Sequence, residues 1–403
     1  MVIESRGHGG LHASQTRPCQ CGRGFSSCPG LLERPDVDDV TILPDLTDVR
    51  PDQVSLQAEV IKGVRAALPV FSAAMETVWS VALTCSLAEF GAIGPITQEL
   101  SQADLLAAIE QISRYRIDLT RFPEALHIDG RPPILVAASP FEHSKLDFLL
   151  VRPEVDYVII NTVQPFHVKV LETVEKYSVL APDKLVVGNL ATAEAAYEFC
   201  RFPIAALKVG LGPGSICTTR EMSGVGVPQL EAIQEVASVA RPVGIPVIAD
   251  GGIRIPGDIA KALAAGASSV MMGRLFAGTE EASGELKEIQ GRKYKFYAGA
   301  RYTSLEHDSS CGVPELDSFL EELAFRGHRV EGVSGYVPYM GPAKALLLQI
   351  KRSLGVSLAF TGARTVEEFQ SRARMIQISA AAFIEGRAHS IPEITHQNWL
   401  LGR

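Results

Sequence analysis

Eight short apolar runs, each followed by a longer amphipathic segment, predict a (β/α)8 TIM barrel. The runs are apolar on both faces, as parallel strands packed between a barrel interior and an outer helix layer must be. The last three runs each lead into a polar turn rich in glycine, at the strand ends where barrel enzymes carry their chemistry. A doubly wound parallel sheet is the competing arrangement. It would carry a glycine-rich dinucleotide fingerprint after its first strand, and that fingerprint is missing.

The strand candidates begin with "LPVFSAA" near 68, "AIGPI" near 92, "ILVAAS" near 134 and "DYVIIN" near 156. They continue with "LVVGN" near 185, "AALKVG" near 205, "IPVIAD" near 245 and "SVMMG" near 269. Helix candidates between them include "SVALTCSLAEFG", "SQADLLAAIEQISRY", "TAEAAYEFC", "PQLEAIQEVASVA" and "PGDIAKALAAGA". Ser101 and Thr192 stand where N-caps belong, and Pro256 occupies a first helical turn, where its missing N–H costs nothing. Cys85 and Cys200 fall in helical apolar patterns and are expected in the core.

A chain of 403 residues that is 46% hydrophobic buries a large core. Its net charge of −8 argues against nucleic acid or an anionic membrane as partner, since both select basic surfaces. A phosphorylated small molecule stays open, because loop amides and helix N-termini hold phosphate without net positive charge. No run of about 18 apolar residues marks a membrane span, and the first 25 residues lack the apolar stretch of a signal peptide. Seven scattered cysteines make no disulfide framework, so a reducing cytoplasm is expected. Residues 1–34 read as a mobile N-terminal extension and 35–403 as the catalytic barrel. Cys19, Cys21 and Cys28 with His8 or His12 have the donors of a zinc site, but their spacing fits no common zinc module.

The stretch "VGLGPGSICTTREMSGVG" at 209–226 carries the strongest chemical signal. Glycines let backbone N–H groups approach an anion closely, and the cysteine ends such a turn, so the stretch reads as a phosphate cradle carrying a nucleophile. Strand ends "ADGGI" and "MMGRL" converge on it and bring Gly251, Gly252 and Gly273 to the face that holds Ser215 and Cys217. The tight-turn reading of Gly251 and Gly252 stays open beside this one, as do core packing for Met75 and an inert role for Cys217.

These motifs, with "SGVGVPQLEAI", "IPVIADGGIRIPGDIAKALAAGASSVMMG" and "GELKEIQGRKYKFYAGA", closely resemble the IMP dehydrogenase/GMP reductase family from about residue 38 to 385. About twenty residues separate "AAIEQI" from "ILVAAS", too few for the CBS domains that dehydrogenases of the family usually insert there. "CTTR" with "SGVGVPQL" looks like the GMP reductase branch, and the flap at about 304–335 contains no Arg-Tyr pair of the dehydrogenase type. Arg301-Tyr302 lies at the flap's entrance instead.

The resemblance implies an NADPH-dependent, GMP reductase-like oxidoreductase, with Cys217 as nucleophile and Thr218, Thr219 and Glu331 assisting. It implies phosphate contacts from Ser215, Gly251, Gly252, Gly273 and Tyr297, ribose contacts from Asp250, and base contacts from Met75, Gly299 and Ala300. Asn161 and Arg329 are expected to face the cofactor, and carbonyls of Gly212, Gly214 and Cys217 to hold a potassium ion. A homotetramer is expected by the same resemblance. The alternatives are an NAD-dependent IMP dehydrogenase lacking CBS domains and a nucleotide-binding paralogue with impaired catalysis.

Four positions depart from the pattern. Gln98 stands for the family's lysine and Asn161 for its aspartate, which replaces an ion pair by two amides. Losing both charges together avoids stranding one of them. Ala300 stands for a methionine beside the base, and Arg274 follows "MMG" where a small residue is usual, adding a phosphate contact or pointing outward. Together these changes predict a site retuned for a modified guanine nucleotide, such as a 7-deazaguanine nucleotide bearing a C7 nitrile.

Overall fold

The computed structural model describes residues 35–299 and 332–386. Seven parallel strands form one curved sheet: Val70–Ser72, Leu135–Ala138, Tyr157–Asn161, Leu185–Leu190, Ala206–Val209, Val247–Asp250 and Ser269–Met272. Its two edges are the first and second of these strands, and residues 93–96 join them. Ile93 bridges Phe71 on one side, and Ile96 bridges Val136 on the other. The Ile93 N–H donates to the Val70 carbonyl at 3.0 Å and the Ile96 N–H to the Leu135 carbonyl at 2.8 Å. All eight apolar runs therefore take part, and the sheet closes as a TIM barrel.

The two-residue period of the strands sorts their side chains into two cores. Phe71, Ile93, Leu135, Ala137, Ile159, Val186, Ala206, Ile248 and Met271 fill the barrel interior. Their neighbours Val70, Val136, Val158, Val187, Leu207, Val247 and Val270 meet the helix layer. A hairpin of Ala58–Ile61 and Val64–Ala66 sends Val60, Ile61 and Ala66 into the inner core from one end. The Lys62 N–H ties that hairpin to the Ala205 carbonyl at 2.9 Å, at the start of a barrel strand. The opposite end is the mouth.

The helix signals hold where the sequence places them. Ser101 accepts from the Asp104 N–H to cap Gln102–Arg114, Thr192 accepts from Ala195 to cap Ala193–Phe199, and Pro256 opens Pro256–Ala264. Residues 115–134, where a CBS insertion would lie, form only turns with an Ile128–Arg131 bridge. After the eighth strand the chain makes a short helix, Arg274–Ala277, and a three-stranded antiparallel sheet before its last barrel helix, Ala343–Phe360. That sheet, of Leu286–Ile289, Arg292–Ala298 and Ser334–Pro338, carries Tyr297 to the mouth.

Far from the mouth, Arg131 makes two parallel hydrogen bonds to Asp156, at 2.8 and 3.0 Å, and Asp156 also accepts from the Ile134 N–H at 2.7 Å. The two side chains are only 13% and 11% exposed. Arg131→Ala leaves that carboxylate buried and unpaired, so stability in chemical denaturation is expected to fall by about 3–5 kcal/mol. Chemistry per folded molecule should be unchanged.

Candidate active site

The same two-residue period that builds the inner core places polar residues at its upper rim. Asn161 follows Ile159, Lys208 follows Ala206, Asp250 follows Ile248 and Gly273 follows Met271, each two residues on and hence on the inner face. Cys217 lies in the loop after Ala206–Val209, exposed, with its N–H donating to the Gly214 carbonyl at 3.1 Å. Its sulfur is 3.2 Å from the Thr219 hydroxyl, and Thr219 is itself buried. A thiol and a hydroxyl thus share one hydrogen bond.

This loop is cinched by Arg220, whose guanidinium donates to the Leu211 carbonyl at 2.9 Å and to the Val227 carbonyl. Gly212 and Gly226 both lie against the Arg220 stem, where a Cβ on either would collide with it. Those two glycines therefore make room for an arginine, a structural task beside the phosphate-binding one expected of this stretch. The loop is also joined to the chain beyond the flap. The Gly332 N–H donates to the Thr218 hydroxyl at 2.7 Å, and the Val333 N–H to the Ile216 carbonyl at 2.9 Å. Gly332 directly follows Glu331 in the sequence; Glu331, Arg329 and Ala300, like residues 304–331 of the flap, lie outside the described residues.

Gly251 and Gly252 adopt φ of +88° and +78°, the left-handed region that favours glycine. A Cβ on Gly251 would stand 3.0 Å from Pro213 and 3.3 Å from the Gly214 nitrogen, so this turn and the cysteine loop press together. Gly273 lies directly under the Tyr297 hydroxyl, with Met75 Sδ 3.4 Å from where its Cβ would be. Tyr297 is 4% exposed, bonds Ser215 and approaches Met75 Sδ at 3.9 Å. Burial pushes its phenol well above the usual range, while Ser215 and the charge of Arg274 act the other way. It stays a neutral donor. Ser215, Gly251, Gly252, Gly273, Arg274, Tyr297 and Met75 are thus one neighbourhood, as the sequence implies.

Two side chains that sequence reasoning missed hold Asp250. Lys208, 3% exposed, donates to Asp250 Oδ2 at 2.7 Å and to Asn189 Oδ1. Asn189 Nδ2 donates to the same Oδ2 at 3.0 Å and to the Gly210 carbonyl at 2.9 Å. With Oδ2 engaged twice, the carboxylate is held from one side and Oδ1 is its other acceptor. A lysine inside the apolar run "ALKV" was the available signal.

Gln98 and Asn161 do meet: Asn161 Nδ2 donates to Gln98 Oε1 at 3.2 Å. Beside them lies Glu99, unforeseen, whose carboxylate accepts from the Thr97 hydroxyl. Burial pushes its carboxyl up to about 6. A cleft of about 160 Å³ opens between the loops after Asn161 and before Cys217, lined by Gln164, Phe166, Asn189, Leu190, Thr192 and Leu211 among others. No cation lines it among the described residues. Cys85 and Cys200 carry thiols pushed up by burial, to about 12 and about 11, as core thiols should be.

Fold and site together define a (β/α)8 barrel whose mouth gathers a cysteine loop, two glycine turns and a buried tyrosine. The sequence matches the IMP dehydrogenase / GMP reductase domain over residues 36–389, and the chain belongs to that family of oxidoreductases. It is 42% identical to an inosine-5'-monophosphate dehydrogenase of Methanocaldococcus jannaschii over 298 residues, covering 70% of this chain and 58% of that protein. It is 32% identical to the enzyme of that name from Borreliella burgdorferi over 396 residues, covering 89% and 97% of the two chains. A third, from Aquifex aeolicus, is 44% identical over 254 residues, covering 62% of this chain and 50% of that protein. The chain thus spans under three fifths of the first relative, half of the third and nearly all of the second.

Glu99 makes stability depend on pH. Its pKa is raised from 4.5 to about 6, so the folded protein holds this proton more tightly than the unfolded chain. The associated stability is complete below about pH 4.5 and lost as pH rises through about 6. Glu99→Gln is therefore expected to raise stability at pH 8 by up to about 2 kcal/mol and to change it little at pH 4.5. Thermal melts of both proteins across pH 4.5–8 check this.

Proposed function

We propose that the protein removes the 2-amino group of a guanine-type nucleoside 5'-monophosphate and puts hydride in its place, through a covalent adduct on Cys217. The observation that carries this reading is the Cys217–Thr219 contact at 3.2 Å, set beside the glycine turns and joined through Thr218 to the residue after Glu331. The Cys217 thiolate adds to purine C2. The Thr219 hydroxyl, working with Glu331, supplies the proton with which ammonia leaves, and a thioimidate remains. NADPH, when bound, supplies the hydride that completes the exchange at C2. The C2–S bond then breaks and Cys217 is released as the thiolate, so one C–N bond has become one C–H bond.

The chain's own residues supply orientation. Tyr297, Ser215 and the amides of Gly252 and Gly273 suit the phosphate, and Lys208 and Asn189 aim Asp250 at the ribose. The cleft beside Leu211, Val225, Gly226 and Val227, on the loop that carries Cys217, suits a flat, neutral ring. Its lack of cations leaves recognition of a 2'-phosphate to residues elsewhere, for which Arg329 is our candidate. Gly212, Gly214 and Cys217 offer only backbone oxygens, the donor type a potassium ion takes. One lone pair of the Gly214 carbonyl is already used by the Cys217 N–H.

The uncharged Gln98–Asn161 pair and the alanine at position 300 favour a base with an added neutral polar group, such as a 7-cyano-7-deazaguanine nucleotide, over GMP itself. The names of the relatives favour a second reading, NAD-dependent oxidation of IMP through the same cysteine. Against it stands a flap without an internal Arg-Tyr pair to activate water.

Purified protein incubated with NADPH and GMP, NADPH and 7-cyano-7-deazaguanosine monophosphate, or NAD and IMP separates the readings by absorbance at the nicotinamide band. Oxidation of NADPH is expected with a guanine-type nucleotide. Reduction of NAD with IMP alone would establish the second reading. Glu331→Gln is expected to slow release of ammonia by roughly 100-fold, the scale of a lost acid–base group.

A further inference from the structure

The segment that carries Gln98 is held by charged groups that the catalytic reading does not use. Gln98 follows residues 93–96, and Asn161 ends a strand two places away, with Leu135–Ala138 between them. Their hydrogen bond therefore spans the mouth above an intervening strand. An isolated amide pair in that position is weakly oriented, because either group can rotate and bond water instead.

Two further contacts fix the backbone that carries Gln98 and so limit where its amide can reach. Lys145, near the start of the helix His143–Leu150, donates to the backbone carbonyl of Gln98 at 2.6 Å, and its side chain is only 16% exposed. On the other side of Gln98, the Glu99 carboxylate accepts from the hydroxyl of Thr97, itself 1% exposed, so the residues flanking Gln98 are tied to each other. Lys145 faces Glu142 at 3.9 Å, and it attracts Glu99, while Glu76 and Glu142 repel Glu99. These are the charged groups that bear on Glu99 from the elements around it. A mostly buried carboxylate that lowers stability at neutral pH is retained here, which suits a site held in shape for function.

We propose that Lys145 and Glu99 are positioning residues that lock Gln98, so that the Gln98–Asn161 pair presents its remaining amide hydrogens and oxygen to the base of the nucleotide. This rests on the reading of the mouth as a purine nucleotide site. Gln98 has both Nε2 hydrogens, and Asn161 one Nδ2 hydrogen and Oδ1, beyond the bond they share. A neutral hydrogen-bonding edge is what such a pair recognises. Without Lys145 the carbonyl of Gln98 loses its anchor, and without the Glu99 carboxylate Lys145 loses a counter-charge.

The test measures binding without turnover. Affinities of GMP, IMP and 7-cyano-7-deazaguanosine monophosphate for the Cys217→Ala protein are taken by calorimetry from pH 5 to pH 8. The same is done with Lys145→Met, Lys145→Arg or Glu99→Gln added, and melting temperatures are recorded throughout. Lys145→Met is expected to weaken base-dependent binding roughly tenfold, the effect of one charge-assisted hydrogen bond, with ribose 5-phosphate binding unchanged and partial rescue by Lys145→Arg. Measured relative to ribose 5-phosphate, whose phosphate titrates at about pH 6 in every variant, nucleotide affinity in the background protein should show an added step near pH 6 that is absent in Glu99→Gln. Equal affinities and equal pH profiles in all variants would overturn the positioning role. Equal losses for ribose 5-phosphate and for nucleotides would also overturn it, because the effect would then be general. If the Cys217→Ala protein binds no purine nucleotide at all, it is the functional reading that fails.

Discussion

Ile93 and Ile96 join the two edges of the sheet, and that closure forces the ends of eight strands to face one another around a single mouth. Inside the closed barrel the side-chain period leaves no choice of direction. If Ile159, Ala206, Ile248 and Met271 fill the interior, then Asn161, Lys208, Asp250 and Gly273 must crown it. An open sheet would spread these residues along an edge. The site is therefore a consequence of core packing, with the polar crown standing on an apolar plug.

On that crown the chain uses fixed polar contacts to remove the remaining freedom. Lys208 and Asn189 hold one oxygen of Asp250, Arg220 ties Leu211 to Val227, and Gly332 and Val333 pin the far end of the flap segment to Thr218 and Ile216. Each of these bonds joins two parts of the chain itself. Fixed contacts of this kind lower the cost of aligning reactants in a site. The Gly332–Thr218 bond also ties the chain after residue 331 to the threonine next to Cys217.

Much of this was legible from sequence, for definite reasons. Parallel barrel strands are buried on both faces, so "DYVIIN" and "IPVIAD" announce themselves without alternation. Ser101, Thr192 and Pro256 mark helix starts because the backbone donors there need exactly such residues or none. The meeting of Gln98 with Asn161 followed from the family resemblance, and the structure shows the two amides bonded. Lys208 was passed over because an apolar run was read for burial alone, although one lysine in it needs a buried partner. Arg220 and Glu99 could not be found that way: their roles depend on contacts with Leu211, Val227 and Thr97 that arise only when loops fold back. The sheet formed by Leu286–Ile289, Arg292–Ala298 and Ser334–Pro338 is not legible because Leu286–Ile289 is exposed throughout and Arg292–Ala298 opens on exposed Arg292 and Lys293, so the stretch reads as loop.

The central claim is that Cys217 forms a covalent bond to the base. Its most direct test is intact-protein and peptide mass spectrometry after acid quench of enzyme mixed with a guanine-type nucleotide and no NADPH. The account predicts an added mass equal to the nucleotide less ammonia, located on the peptide containing Cys217 and absent in Cys217→Ala. Turnover by Cys217→Ala, or an adduct on any other residue, would contradict it.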